Sequence, residues 1–332
     1  MRDHTLIGPW IRRFLLEHVV TDRNLSRNTQ HSYRDTLVLL LPFMSKARAT
    51  AVDRLTVDDL SPFVVRSFLE YLEKERGCSG ATRNLRLATI HSLAKFVGMH
   101  SPEHVAWCAE IRAIPFKKTA KSTLTYLDKP EMDVLLKAPD LGMSLGMRDY
   151  ALLLFMYNTG ARVDEAAHLR AGDIAWGSSP AVRLVGKGNK TRWCPIWPRT
   201  ADILKPLVAG RASEDLVFLN RLHRPLTRFG IYSLVRRAVA HASQVLPALA
   251  AKRISPHCLR HACAVHLLRS GADINTIRAW LGHVSLDTTN IYAEVDLEMK
   301  AKALAHCDLP AKAMKTKPWH RNPGLIDFLK AL

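Results

Sequence analysis

The chain has 332 residues, of which 48% are hydrophobic, and a formal net charge of +18. This length and apolar content allow two ordinary hydrophobic cores, so we expect a soluble protein of two domains. No apolar run approaches the roughly 18 uncharged residues that span a bilayer, and the first residues lack the apolar core of a signal peptide, so the sequence disfavours a membrane protein. The positive charge indicates a polyanionic partner, most simply nucleic acid.

The six cysteines are scattered without a paired Cys-x-x-Cys spacing. This usage is typical of reduced thiols in a cytoplasmic protein and disfavours a disulfide framework or a zinc site. Cys258 stands beside His257, but no base and orienting group accompany it in the sequence. A catalytic thiol at this position is therefore disfavoured, and we interpret most of the cysteines as core residues.

Four segments in the first third of the chain carry apolar residues at steps of three and four, which predicts a small all-helical domain over residues 1–113. The predicted helices cover residues 10–20, 24–46, 61–75 and 79–97. Residues 1–122 contain 19 Lys and Arg against 12 Asp and Glu, a net charge of +7, which leaves +11 for the remainder. Positive charge therefore lies on both parts, as expected of a chain that holds a duplex between two domains. We predict DNA contacts for Arg83, Arg86 and Lys95; the alternative is a solvated helix face.

Residues 114–125 combine a proline, a lysine run and small polar residues without an apolar period, which predicts an interdomain linker. A second domain should follow over residues 126–309, with its first helix starting at Asp128 or Pro130. A strongly apolar helix over residues 148–157 is expected to end near Gly160. Arg162 follows this break directly, close to the core, and Glu165 is the nearest candidate for the partner that a buried guanidinium needs.

Two short apolar segments flank the sequence GKGNK and predict a β-hairpin over residues 181–196. In its turn, Gly186, Gly188 and Asn189 are able to take positive φ. The turn lysines, Lys187 and Lys190, are solvated in most hairpins of this kind. Two further helices are predicted over residues 199–209 and 228–242.

The stretch over residues 255–271 reads as a helix, since Ser255 can cap it, Pro256 fits its first position and Gly271 can end it. His257 and Arg260 then share one face of the first turn. Backbone N–H groups and the positive end of the helix dipole make that turn a natural site for a phosphate.

A second short helix should begin after Asp273 and end at Gly282, which leaves His283 on a turn. A third helix, opened by Ser285 or Asp287, should carry Tyr292. Two helices and a turn are therefore expected to converge on one point.

In these motifs the sequence resembles the tyrosine recombinases, the phage-integrase family of site-specific DNA recombinases. The segments that resemble family boxes are TGARVDE (159–165), the lysine hairpin GKGNKTRWCPI (186–196), HCLRHACAVHLL (257–268) and LGHVSLDTTNIYAE (281–294). The segments LSRNTQHSYRD and SGATRNLRLATIHS resemble two helices of the family's core-binding domain. The resemblance implies a mainly α fold with a small β-hairpin or sheet, in which a helical, SAM-like core-binding domain precedes a mixed α+β catalytic domain.

Carried over residue by residue, the resemblance implies that Tyr292 attacks a scissile phosphodiester, forms a 3′-phosphotyrosine and releases a 5′-hydroxyl. Arg162 and Arg260 would stabilise the extra negative charge of the phosphorane. His257 would accept the proton of the tyrosine, whose ordinary pKa is about 10.

Three further roles follow from the same resemblance. Lys187 would protonate the departing 5′-oxygen, which leaves Lys190 as a DNA contact. His283 would hydrogen-bond the phosphate, and Glu165 would support Arg162 without acting as a catalyst. No cofactor and no metal are implied, because the phosphotyrosine keeps the energy of the broken bond. Trp280 stands where the family more often has a smaller aliphatic residue, and we interpret it as core packing.

The implied partner is double-stranded DNA with short inverted binding sites, bound by a homotetramer, alone or with other recombinases. We expect the protein in the bacterial cytoplasm, associated with the nucleoid when on DNA. Residues 310–332 combine a basic, proline-containing linker with a helix whose apolar face must be buried. This helix is expected to dock on a neighbouring subunit; docking on its own catalytic domain is the alternative.

Three other functions compete with this interpretation. A metal hydrolase could use His257, His261 and His283, but no carboxylate accompanies them as in a His-Glu-x-x-His site. A non-catalytic DNA-binding regulator would have no need of the tyrosine and both arginines. A type IB topoisomerase shares the chemistry but relaxes supercoils without a sequence preference. The sequence favours a recombinase that integrates, excises or transposes a mobile element, or resolves chromosome dimers.

Overall fold

The computed structural model describes residues 5–119, 124–186 and 188–282, together with Thr289. The chain forms two compact units, Met1–Ser122 and Thr123–Leu332. The division falls inside the stretch predicted as a linker, while the domain limits set from the sequence stay a prediction. No helix among the described residues is long and apolar enough to cross a membrane.

The first unit is helical throughout its described part. Its α-helices are α1 (Ile7–Arg13), α2 (Arg27–Arg48), α3 (Pro62–Lys74), α4 (Gly80–His100) and α5 (Val105–Arg112), with a π-helical segment (Phe14–Asp22) and two 3₁₀ turns (Val52–Arg54 and Pro102–His104). The side-chain oxygens of Ser26, Ser61 and Ser79 accept hydrogen bonds from backbone N–H groups of the first turns of α2, α3 and α4. These caps explain why the predicted starts of the three helices agree with the structure.

The second unit combines helices with one small sheet. Its elements are α6 (Lys129–Leu136), α7 (Ser144–Thr159), α8 (Val163–Ala167), β1 (Ile174–Ala175), β2 (Ala181–Val185), β3 (Thr191–Pro195), α9 (Pro198–Val208), α10 (Arg228–Val245), α11 (Pro256–Arg269) and α12 (Ile274–Leu281), with 3₁₀ turns at Ala171–Asp173 and Pro247–Ala251. The strands form an antiparallel sheet in the order β1-β2-β3. The predicted fold class, mainly α with a small sheet, is confirmed.

Helix α7 is the centre of this unit. Every residue from Tyr150 to Thr159 is buried, because the segment YALLLFMY offers apolar side chains on all faces. Its main neighbours are α11 and α9, while α10 packs on α6 and α8. The sheet adds Val182, Leu184 and Cys194 to the same core. This packing holds α7 in place, so the residues that follow its last turn also have a defined position.

The cysteines in the described part of the chain are free thiols. Cys258 is buried, and its Sγ accepts a hydrogen bond from the backbone N of Ser255 at 3.3 Å and contacts the carbonyl of Arg253 at 3.5 Å. This side chain therefore holds the start of α11.

Candidate active site

The site begins at the C-terminal end of α7, where the chain turns abruptly. Gly160 has φ +59°, which ends the helix in the left-handed conformation. A Cβ at this position would lie 2.4 Å from Cδ2 of Leu281, so the Leu281 side chain would have to shift, and the left-handed conformation also disfavours a side chain. The chain then passes through Ala161 to Arg162, which occupies the residue before α8. The glycine thus brings the end of α7, the start of α8 and the end of α12 together.

Arg162 is half-buried and is held by Glu165. Its Nη1 donates to Oε1 of Glu165 at 2.8 Å, and its backbone N donates to Oε2 at 2.8 Å. The contact expected between guanidinium and carboxylate is therefore present, while the catalytic role of Arg162 stays a prediction.

A second arginine, Arg192 in β3, contacts the same carboxylate. Its Nη1 donates to Oε1 of Glu165 at 2.9 Å, its Nη2 donates to Oε2 at 2.7 Å, and its Nε donates to the carbonyl of Trp280 at 2.8 Å. Burial alone raises the pKa of Glu165, but the contacts of the two arginines outweigh it and lower this pKa to about 2. Glu165 is consequently ionised at neutral pH and shared by two cations.

The sequence interpretation missed Arg192, although the sequence contains a signal for it. Residues of one parity in a strand point to one face, and Arg192 shares its parity with the fully buried Cys194. A charged residue at an inward-facing position needs a buried partner of opposite charge. That partner, Glu165, lies 27 residues away, so local patterning could not name it.

The first turn of α11 supplies the other two described site residues. Arg260 is buried, with its Nη2 donating to the carbonyl of Leu281 at 2.6 Å and its Nη1 donating to the carbonyl of Gly160. His257 is exposed on the same turn. The surrounding protein removes part of its hydration, and the charges of Arg260 and Arg162 repel its protonated form, so the pKa of His257 is lowered.

The carboxyl end of α12 ties these arginines together. The carbonyls of Trp280, Leu281 and Gly282 follow one another, and each accepts a hydrogen bond from a different arginine. Arg192 binds the first, Arg260 the second, and Arg162 the third through its Nη2 at 3.3 Å. The last carbonyls of a helix lack intrahelical partners and carry partial negative charge, so this end suits cations.

The glycine of the hairpin turn fits against this arrangement. A Cβ on Gly186 would lie 2.9 Å from Oε1 of Glu165 and 3.4 Å from Nη1 of Arg162. Gly188 and Asn189, which the sequence showed to be able to take positive φ, do so, whereas Gly186 does not. At Gly186 the close approach of Glu165 and Arg162, and not the backbone conformation, favours a glycine.

The structure brings Arg162, His257 and Arg260 together, with Glu165 and Arg192 behind them. The remaining predicted site residues, Lys187, His283 and Tyr292, lie outside the described residues, as does the C-terminal segment 310–332. Gly282, the residue before His283, is described, and its carbonyl accepts a hydrogen bond from Arg162. The catalytic roles of Lys187, His283 and Tyr292 stay predictions.

The predicted DNA contacts differ in their surroundings. Arg86 is half-buried and braces α4 against α2 by donating to the carbonyl of Ser32 and to Oγ1 of Thr36. Arg83 donates to Oδ1 of Asn84 and to the carbonyl of Pro115. The side chains of Lys95 and Lys190 are exposed.

The predicted packing role of Trp280 can be examined in the described part, whereas His283 of the metal alternative lies outside it. Trp280 is partly buried against the core of the unit, and its Nε1 donates to the carbonyl of Asn158. Among the described residues no group of three or more His, Cys, Asp or Glu is placed to hold a metal ion. His261 has its pKa lowered to about 4 by burial and by the nearby His257 and Arg260.

Two family models match the chain. The model of the phage integrase family matches residues 125–299, and that of the phage integrase N-terminal SAM-like domain matches residues 11–98. The chain belongs to the phage integrase family. The predicted family and the predicted class of enzyme, a DNA strand-breaking and rejoining recombinase, are confirmed.

Relatives of full length support this assignment. A putative integrase/recombinase, y4rC, of Sinorhizobium fredii is 34% identical over 335 residues, covering 100% of both chains. The tyrosine recombinase XerD of Chlorobaculum tepidum is 30% identical over 303 residues, which cover 87% of this chain and 93% of that protein. Identity therefore extends over both units.

Solved structures share the fold. The XerH site-specific recombinase in a pre-cleavage complex with its difH substrate superposes with a TM-score of 0.66 at 22% identity, over 86% of this chain and 81% of that chain. The integrase of transposon Tn1549 with circular intermediate DNA gives a TM-score of 0.66 at 15% identity, over 89% and 98%.

Proposed function

We propose that the chain is a site-specific recombinase that cuts and rejoins double-stranded DNA through a 3′-phosphotyrosine at Tyr292. The observation that carries this proposal is the pair of fixed guanidinium groups, Arg162 and Arg260, beside the exposed His257 at the amino end of α11. A helix amino end and two held cations favour a phosphate at this point.

The two arginines stabilise the transition state by position. Arg260 is held by the carbonyls of Gly160 and Leu281, and Arg162 by Glu165 and the carbonyl of Gly282. Guanidinium groups that are already in place do not reorganise when the phosphorane gains negative charge. Their attraction for this charge therefore lowers the activation barrier without a cost of reorganisation. This arrangement accounts for phosphoryl transfer without a metal or cofactor step.

Proton transfer requires one acceptor and one donor. The lowered pKa of His257 keeps its ring neutral at neutral pH, so it accepts the proton of the Tyr292 hydroxyl as the phosphorus–oxygen bond forms. Lys187 donates a proton to the departing 5′-oxygen, and His283 hydrogen-bonds a non-bridging oxygen. Attack by the 5′-hydroxyl of a second strand reverses these steps and rejoins the DNA.

The substrate and the assembly follow from charge and sequence. Positive charge on both units suits a duplex with short inverted sites, contacted through Arg83, Arg86, Lys95 and Lys190. Exchange between two duplexes needs four active sites, so the proposed working form is a homotetramer, in which the helix predicted within residues 310–332 docks on a neighbouring subunit. A DNA substrate and free thiols support a location in the cytoplasm, on the nucleoid, where the enzyme would move or resolve a genetic element.

Covalent trapping tests the proposal. Wild-type protein and Tyr292→Phe are incubated, with chelator, with nicked duplexes tiled across the DNA that flanks the gene. The proposal predicts a denaturation-resistant adduct of the wild type alone, on the tiles that share one sequence. Adducts on every tile would contradict site specificity and favour a topoisomerase. No adduct on any tile, with tight binding retained, would contradict cleavage by this chain.

A further inference from the structure

We propose that Arg192 is a positioning residue for strand cleavage, which keeps Arg162 both fixed and effectively cationic; this inference rests on the proposed function. The hydrogen bonds of Arg192 go to Glu165 and to the backbone of α12. It acts through the Glu165 carboxylate and through the carbonyl of Trp280.

The first argument is one of charge. Glu165 is buried and ionised, and with Arg162 alone it would form a pair of zero net charge. Such a pair attracts a phosphorane weakly, because the carboxylate repels what the guanidinium attracts. Arg192 adds a second cation to the same carboxylate, so the group of three side chains carries a net charge of +1. The cationic character of Arg162 toward a phosphate therefore depends on Arg192.

The second argument is one of geometry. The two carboxylate oxygens of Glu165 accept four hydrogen bonds, two from Arg192 and two from Arg162, counting its backbone N. A carboxylate with all its acceptor positions filled cannot turn, so the Nη1 of Arg162 has one direction in which to bind it. Because the guanidinium is planar, the directions of the remaining N–H groups of Arg162 are then fixed as well.

The third argument concerns α12. Arg192 holds the carbonyl of Trp280, and the next two carbonyls hold Arg260 and Arg162. The three bonds fix the last turn of one helix, so loss of the first loosens the acceptors of the other two. Lysine could keep the charge of Arg192 but has one nitrogen in place of three, so it cannot bind both carboxylate oxygens and the carbonyl together.

The chain offers a matched control in Arg148. Its Nε and Nη2 bind Oδ1 of Asp149, and its Nη1 donates to the carbonyl of Leu219 at 2.8 Å. Arg148 is therefore another poorly exposed arginine that binds one carboxylate and one backbone carbonyl, like Arg192. It lies at the opposite end of α7 from Gly160, so its loss affects folding without affecting the proposed site.

The test measures single-turnover adduct formation on the nicked duplex that traps the wild type, together with the dissociation constant for that duplex. Arg192→Met should slow cleavage by about 10- to 100-fold, the usual effect of losing a group that supports a reacting one, with unchanged DNA affinity. Arg148→Met should cleave within about twofold of the wild type at a temperature where both variants are folded, because surface and core changes away from the site act on stability.

A charge-restoring double variant separates the effect of Arg192 on the charge of the group from general structural damage. Arg192→Met combined with Glu165→Gln restores the net charge of +1 while making even fewer native contacts. The proposal predicts that this double variant cleaves faster than Arg192→Met by about 5-fold or more, since each tenfold in rate corresponds to about 1.4 kcal/mol. Equal rates for the two, or a wild-type rate for Arg192→Met, would overturn the inference. Neither result would affect the proposed function, which fails if Tyr292→Phe still forms the adduct, if the wild type forms none, or if the wild type forms adducts on every tile.

Discussion

Two arginine–carboxylate–arginine groups lie at opposite ends of α7, and they differ in what else they bind. Near the start of the helix, Asp149 contacts Arg148 closely and Arg237 at 3.5 Å, and Arg237 is mostly exposed. After its end, Glu165 contacts Arg162 and Arg192 with both oxygens between 2.7 and 2.9 Å. The same residue types therefore form one loose group and one closed group.

The difference lies in the backbone that surrounds each group. The closed group, Arg162–Glu165–Arg192, also donates hydrogen bonds to carbonyls at the end of α12, where a third carbonyl accepts from Arg260. The group lies beside the amino end of α11, which carries His257 and Arg260. In the loose group, Arg148 donates a hydrogen bond to the carbonyl of Leu219. Ion pairs in both groups stabilise the fold to some degree, but only the closed group presents fixed cations to a helix end where a phosphate can bind.

The largest effect is expected from Arg260→Lys. Its single nitrogen cannot bind the carbonyls of Gly160 and Leu281 together, so one buried carbonyl loses its partner. We expect cleavage to slow by about 100- to 1,000-fold, as for loss of one fixed donor at a developing charge. The free energy of unfolding should fall by about 1–3 kcal/mol. Adduct formation in a single turnover and urea denaturation give the two values.

The corresponding change in the loose group is Arg237→Lys. Arg237 is exposed and its contact with Asp149 is long, so we expect its free energy of unfolding to change by less than about 0.5 kcal/mol, with an unaltered cleavage rate. If Arg237→Lys and Arg260→Lys slowed cleavage equally, the distinction between the two groups would be wrong.

Gly160→Ala is expected to slow cleavage less than Arg260→Lys, although it costs more in stability. The left-handed conformation costs a residue with Cβ about 1–2 kcal/mol, and the clash with Leu281 costs about 1–3 kcal/mol more. Because Leu281 moves with its carbonyl, cleavage should slow as well. The control is Gly210→Ala, which also has positive φ but nothing within 4 Å of its Cβ, and should lose only about 1 kcal/mol in urea denaturation at the wild-type cleavage rate. Similar losses in the two variants would show that the contact with Leu281 does not matter.

The last effect concerns the pH dependence of stability and leaves cleavage at neutral pH unchanged. The pKa of His261 is lowered to about 4 in the folded protein, against an ordinary value of 6.5, by burial and by His257 and Arg260. The unfolded chain therefore binds a proton more readily, so the stability is complete above pH 6.5 and is lost as the pH falls towards 4. The pKa of Glu165 is about 2, so its ion pairs persist over this range. Urea midpoints at pH 7 and pH 4.5 should differ less for His261→Gln than for the wild type; an equal difference would assign the acid sensitivity to other groups.

The structure also shows which features the sequence could predict. The helix starts at Ser26, Ser61 and Ser79 and the break at Gly160 depend on neighbours within four residues, so local patterning found them. The short elements α5 and β1 were not predicted. The two residues of β1 give too short a pattern to establish a period, and α5 lacks the side-chain N-cap that marks the equally short α6 and α12.

Only part of the site was predicted, because local patterns reveal motifs but not contacts between residues far apart in the sequence. Motifs supplied Arg162, His257 and Arg260, each of which lies in a recognisable segment. Arg192 was missed because its contacts with Glu165 and Trp280 join residues that are 27 and 88 positions apart. Only the fold brings them together, and only the fold shows that the spacing of the three carbonyls matches three arginines.

The measurement that tests the central claim most directly is a structure of Tyr292→Phe bound to the duplex that traps the wild type. The account predicts a scissile phosphate at the amino end of α11, with non-bridging oxygens about 2.7–3.2 Å from guanidinium nitrogens of both Arg162 and Arg260. The Glu165–Arg192 contacts should be unchanged. A scissile phosphate bound elsewhere, with Arg162 and Arg260 still directed only at protein atoms, would contradict the account.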